Sequence, residues 1–149
     1  MAAKAGRLVY LDTAFCAEDL SHALDTLRSL VKGRLCVLLG SVGGRAKERR
    51  SSLGKAACDG ADFVYLCADD PDGEDPQSIC EQMREGMSEP ERCVILTDRR
   101  AAIKRAVREM REGDVLLILS KGQEQGQLVQ GRYLPFSERE VLAEALAVF

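Results

Sequence analysis

The sequence holds a single histidine, His22, and no two of its six cysteines stand three residues apart. A structural zinc site draws on several such ligands at recurring spacings, so no metal site is expected. The cysteines do not form a disulfide framework either. Cys36, Cys67 and Cys93 fall in apolar, strand-like runs, and Cys58 and Cys80 in helix-like ones. A free thiol in such a place behaves as a small buried hydrophobe. No apolar run approaches the ~20 residues that cross a bilayer. The apolar stretch after Lys4 and Arg7 is broken at Asp12 and is too short for a secretory signal. An excess of one charge is lacking as well, with 21 Lys and Arg against 24 Asp and Glu. Neither nucleic acid nor a membrane is expected as a partner. No linker, repeat or low-complexity segment interrupts the chain. These absences point to a cytoplasmic globular protein. Its 149 residues, 46% hydrophobic, suffice for one domain over 1–149 with one sizeable core.

Strand-like and helix-like segments alternate along most of the chain. RLVYLD (7–12) is a short β-rich run, and 17–32 carries Leu20, Leu24, Leu27, Leu30 and Val31 at helical spacing, with Gly33 as its stop. RLCVLLG (34–40), DFVYLC (62–67), residues 93–96 and VLLIL (115–119) read as buried strands. Helices are expected over 48–59, 75–86 and 99–111. A hairpin-like pair around Gly131 follows, then a helix from Ser137, whose N-cap is paired with Glu140 three residues on. The pattern predicts an α/β fold. It is a Rossmann-like, doubly wound sheet, mostly parallel, with helices on both faces and a C-terminal antiparallel hairpin. Ligands of such sheets bind beyond the C-terminal strand ends. That rule selects the loops after Asp12, Gly40, Cys67 and Leu119.

The loop after Gly40 reads GSVGGRAKERR. It is neither a Walker A loop nor a GxGxxG turn. Its Arg45, Lys47, Arg49 and Arg50 suit a carboxylate or phosphate, although a solvated helix start accounts for them equally. The loop after Cys67 reads ADDPDGEDP. Asp75 and Pro76 open a helix, and Pro71 and Gly73 make a turn. Asp69, Asp70 and Asp72 repel one another unless a cation or a donor lies close. The loop after Leu119, SKGQEQG, is by itself an ordinary polar loop. His22 belongs to the exposed side of the first helix and has no identifiable base or nucleophile beside it.

Taken in order, these loops resemble the C-terminal domain of the Mur ligases, the family that adds amino acids to the peptidoglycan precursor. They are most similar to the members that add a diamino acid to UDP-MurNAc-Ala-Glu. The resemblance runs from Arg7 to Leu146. The family's D-Y-A-H-T-P-D-A-L stands here as DTAFCAEDL, which matches Asp12 and puts Phe15 in place of the histidine. The resemblance makes Asp12 and Phe15 nucleotide-contacting positions, with Cys16 in the same segment. G-G-D-R-D-K-G-K-R-P becomes GGRAKERRS, one residue shorter, keeping Arg45 and Lys47. The arginine matched by Arg45 holds the acceptor's carboxylate in the family. D-N-P-R-x-E-D-P becomes DDPDGEDP, with Asp69, Asp70, Pro71 and Asp72 at its head. In members that add diaminopimelate, the arginine of this motif grips the distal carboxylate. Asp72 in its place favours an ammonium, and so a side chain such as that of lysine. G-K-G-H-E becomes SKGQE, with Ser120 a departure and Glu124 matching a glutamate that contacts the acceptor's amino group.

The family's P-loop, magnesium ligands and carbamylated lysine lie in a central domain, and its UDP-sugar site in an N-terminal one. No GKT or GKS motif occurs here. The resemblance therefore implies that ATP and Mg belong to the complete ligase and that this domain alone binds neither tightly. It implies no catalytic residue and no metal ligand in this chain, and no activity of the isolated domain. The partners implied are the amino-acid substrate and the central ATPase and N-terminal UDP-sugar domains of the same ligase. Two other readings stand beside this one. The departures at Phe15, Asp72 and Ser120 suit a degenerate stand-alone binding or regulatory module without catalysis. The fold alone also suits an unrelated nucleotide-binding domain.

Overall fold

The computed structural model describes residues 2–13, 16–119 and 126–148. Its main sheet has six strands: β1 (Ala2–Lys4), β2 (Arg7–Asp12), β3 (Leu35–Leu39), β4 (Phe63–Leu66), β5 (Cys93–Ile95) and β6 (Val115–Leu119), in the order β1-β2-β6-β3-β4-β5. From β2 to β5 all pairings are parallel; β1 pairs antiparallel with β2 at the edge. β7 (Gly126–Val129) and β8 (Arg132–Pro135) form a separate antiparallel hairpin. The helices are α1 (Ala17–Arg28), α2 (Arg50–Gly60), α3 (Pro76–Arg84), α4 (Arg99–Glu109) and α5 (Glu138–Leu146).

Every residue of β3 and β6 is buried, as the continuous apolar runs LCVLL and VLLIL require of central parallel strands. Side-chain alternation splits each strand between two cores. Leu35, Val37, Leu39, Val115, Leu117 and Leu119 face α1, α2 and α3. Cys36, Leu38, Leu116 and Ile118 face α4 and α5. The sheet therefore has helices on both faces. The six cysteines are free thiols. Burial pushes the thiols of Cys36, Cys67 and Cys93 up to about 11 and that of Cys80 to about 12, as expected of packing groups in apolar surroundings.

The structure departs from the sequence expectation at several element ends and adds one strand. β1 is an additional strand. It turns into β2 through Ala5 and Gly6, both left-handed (φ 50° and 73°), the geometry of a tight two-residue hairpin. α1 ends at Arg28, before Leu30, Val31 and Gly33. The amides of Lys32 and Gly33 donate to Gly113 O at 3.2 and 2.8 Å, which takes the chain out of the helix and leaves Leu30 48% exposed. A 3-10 turn, Lys47–Arg49, precedes α2 and delays its start. α4 stops at Glu109 because Arg7 Nε and Arg34 Nη2 claim the carbonyls of Met110 and Glu109, each at 3.0 Å. At α5, Ser137 caps as expected, its hydroxyl accepting from Glu140 N at 3.3 Å.

Candidate functional site

β3 and β4 are neighbours, so the loops that leave their C-terminal ends lie side by side. Gly43 lets them touch. Its amide donates to Asp70 O at 2.7 Å, and a Cβ there would stand 1.7 Å from Pro71 O. Glu74 fastens the same two loops. Its carboxylate accepts from Gly44 N at 2.7 Å and takes a bidentate grip from Arg50, with both bonds at 2.9 Å. Arg50 is 1% exposed and also donates to Val42 O and Gln82 Oε1, each at 3.0 Å. The Arg50 guanidinium, with the Gly44 amide second, holds the Glu74 carboxyl at about 2, well below the usual range. Asp75 caps α3 by accepting from Gln77 N at 3.1 Å.

The β7–β8 hairpin closes on the other side of the acidic loop. Asp70 Oδ1 accepts from Leu128 N at 2.9 Å, and Asp72 Oδ1 from Gly131 N at 2.8 Å. Gln127 Nε2 donates to Asp69 O at 2.6 Å. The carboxylates of Asp70 and Asp72 thus each meet a backbone donor of the protein itself, while Gln127 engages the backbone carbonyl of Asp69. Between the three segments lies a cleft of about 190 Å³, lined by Val42, Gly43, Gly44, Arg45, Asp70, Asp72 and Leu128. A larger groove of about 410 Å³ runs between α1 and α2. It draws on helix flanks, not strand-end loops, and its Lys55 and Asp59 already pair at 2.6 Å.

Of the residues singled out by sequence, Arg45, Asp70 and Asp72 line this cleft. Asp69 and Pro71 are buried and frame it; Lys47 stands exposed on the 3-10 turn, outside the lining. Arg50, grouped by sequence with the anion-binding cluster, is a correction: it is consumed by Glu74 and holds loops together. Asp12 ends β2 opposite Leu119, and its Oδ1 accepts from Thr13 N at 2.7 Å. Phe15, Ser120 and Glu124 lie outside the described residues. His22 is exposed on α1. Among the described residues, no three His, Cys, Asp or Glu side chains are placed to share a metal ion, and no helix is long and apolar enough to cross a membrane.

Sequence reasoning assigned no role to Glu74, Gln127, Arg99 or Glu138. Arg99 and Glu138 form an ion pair with both side chains fully buried. Arg99 also donates to Ala68 O at 3.0 Å and Leu119 O at 2.7 Å, which holds the ends of β4 and β6 in place.

The model of the Mur ligase glutamate ligase domain matches residues 1–122. The chain belongs to the Mur ligase family. Over 138 residues this Mur ligase domain is 39% identical to the UDP-N-acetylmuramoyl-L-alanyl-D-glutamate–2,6-diaminopimelate ligase of Aquifex aeolicus, covering 93% of this chain and 29% of that protein. Over 141 residues it is 39% identical to the ligase of the same name from Chlorobium phaeobacteroides, with 93% and 27% covered. A solved ligase of that name superposes with a TM-score of 0.94 at 31% identity, over 99% of this chain and 30% of the other. That superposition takes in the hairpin and α5, beyond the family match. A murein peptide ligase from Psychrobacter arcticus, at 18% identity and a TM-score of 0.70, shares the fold. The chain spans less than a third of the length of the curated relatives it matches.

Proposed function

We propose that this Mur ligase domain seats the acceptor amino acid for an ATP-dependent, cytoplasmic ligase of peptidoglycan precursor synthesis, and that the acceptor is a diamino acid with a cationic end, such as lysine. The observation that carries this reading is the charge of the cleft. One loop supplies a guanidinium, Arg45, and its neighbour two carboxylates, Asp70 and Asp72. An α-carboxylate suits Arg45, and a distal ammonium suits the aspartates. Oδ2 of Asp72 has no partner among the described residues, since the Gly131 bond uses Oδ1. The relatives are named for 2,6-diaminopimelate, which carries a second carboxylate that Asp72 would repel. In the complete ligase the other domains would hold ATP and Mg, which would supply activation of the growing peptide's carboxylate. This domain's contribution is to hold the attacking amine in position.

The test is kcat/KM of the complete ligase for lysine, ornithine and diaminopimelate. Lysine or ornithine should exceed diaminopimelate by roughly tenfold, about 1.4 kcal/mol. Asp72→Arg should move the preference towards diaminopimelate. A higher kcat/KM for diaminopimelate in the unaltered enzyme would sink the lysine assignment. The departure at Asp72 also supports a second reading, a binding module without catalysis. Immunoblotting the native polypeptide separates the two: a product of three domains supports the ligase, and one of this chain's own length supports the module.

A further inference from the structure

The β7–β8 hairpin has little to hold it by itself. It is a two-stranded sheet, separate from the main one, and all four residues of β8 are exposed. Two-stranded hairpins are marginal in water without further packing. Its turn, Gln130-Gly131, has both residues left-handed (φ 48° and 75°), which fixes the hairpin's register but not its position on the protein.

Position comes from the acidic loop: Asp70 Oδ1 holds Leu128 N, Gln127 Nε2 reaches Asp69 O, and the largest number of bonds is made by Asp72. Its amide donates to Leu128 O at 3.0 Å, and its carbonyl accepts from Gln130 N at 2.6 Å. These two bonds make a parallel bridge from Asp72 to Val129. The side chain adds a third bond, Gly131 N to Oδ1 at 2.8 Å. One residue thus grips both ends of the 128–131 turn segment. To do so it adopts a left-handed backbone (φ 49°), which aspartate and asparagine tolerate better than most side chains. Leu128, held by Asp72 and by Asp70 Oδ1, is a wall of the cleft.

We infer that Asp72 is a positioning residue, the latch that holds the β7–β8 hairpin against the acidic loop and so sets the Leu128 wall of the cleft. An arginine at this position would keep the two backbone bonds but offer Gly131 N no side-chain acceptor. Charge and latch are separable. Asp72→Asn keeps an acceptor oxygen and tolerance of the left-handed backbone while losing the charge; Asp72→Ala loses the acceptor and the charge together.

The test is hydrogen exchange on the full chain carrying Asp72→Asn or Asp72→Ala. In Asp72→Ala the Gln130 and Gly131 amides should exchange about tenfold faster or more, the effect of one bond to a charged acceptor, while β3 and β6 amides hold their protection. Asp72→Asn, which keeps a neutral acceptor, should lose clearly less protection than Asp72→Ala. Unchanged exchange in Asp72→Ala would overturn the latch. So would equal loss in both variants, or a loss in Asp72→Ala spread evenly over β3 and β6. The effect on the cleft rests on the acceptor-binding reading; the exchange result does not. In the complete ligase, acceptor KM should be severalfold higher for Asp72→Ala than for Asp72→Asn. Equal KM values with the hairpin released in only one variant would show that the latch does not shape the cleft.

Discussion

Glu74 shows how one carboxylate can order two loops. It holds a bidentate guanidinium and a backbone amide at once, and Arg50 is buried beneath it. The folded form keeps Glu74 ionised down to about pH 2, against an ordinary value of 4.5. A carboxyl with a depressed folded pKa stabilises the docked loops fully above its ordinary value. That contribution fades as pH falls through the folded one. The docking of the glycine loop should therefore weaken between about pH 4.5 and 2. The Gly44 amide shift, followed by NMR, should titrate with a midpoint near 2 in the unaltered chain. In Arg50→Met the midpoint should rise towards 4.5. A midpoint that stays near 2 without Arg50 would assign the depression to the Gly44 amide instead.

At the scale of elements, α2 and α3 meet backbone to backbone. A Cβ on Gly54 would stand 1.7 Å from Met83 O, and one on Gly86 1.9 Å from Ser51 O. Alanine is a better helix former than glycine by about 1 kcal/mol. Overpacking costs about 1–3 kcal/mol, and a clash with a backbone carbonyl belongs at the upper end. The clash wins. Gly54→Ala should destabilise by about 2 kcal/mol, seen as a fall of roughly 4–8 °C in Tm.

The strands and the helix order were legible because continuous apolar runs and 3.6-residue stripes dominate 7–119. The three-residue β1 is too short to carry a period. The buried charges were legible in principle. Arg50, Arg99 and Glu138 each begin an apolar stripe: Leu53, Gly54 and Ala57 follow the first, Ala102, Ile103 and Ala106 the second, Val141, Leu142 and Ala145 the third. A charge in phase with a buried face needs a buried partner. Read that way, Arg50 separates from the solvent-facing Arg45 and Lys47. What no local pattern could show is the partner, because Glu74 and Glu138 arrive from 24 and 39 residues away. The acidic run misled for the same reason, since its donors sit on a hairpin some 58 residues downstream.

Across the whole molecule, the Arg99–Glu138 pair joins what the ligand loops hang from. It links α4 to α5, and through Ala68 O and Leu119 O it links both to the ends of β4 and β6. Arg99→Met would take the guanidinium away from the buried Glu138 carboxylate, at a cost of about 3–5 kcal/mol near neutral pH. Arg99→Met with Glu138→Leu removes the buried charge altogether. It should recover much of the stability near neutral pH. Recovery should stop short by about 1–3 kcal/mol, because Ala68 O and Leu119 O still lack the donors that Arg99 supplied. Urea denaturation of both variants near neutral pH reads each contribution. If the double variant is no more stable than Arg99→Met near neutral pH, the two carbonyls, and not the buried carboxylate, carry the cost.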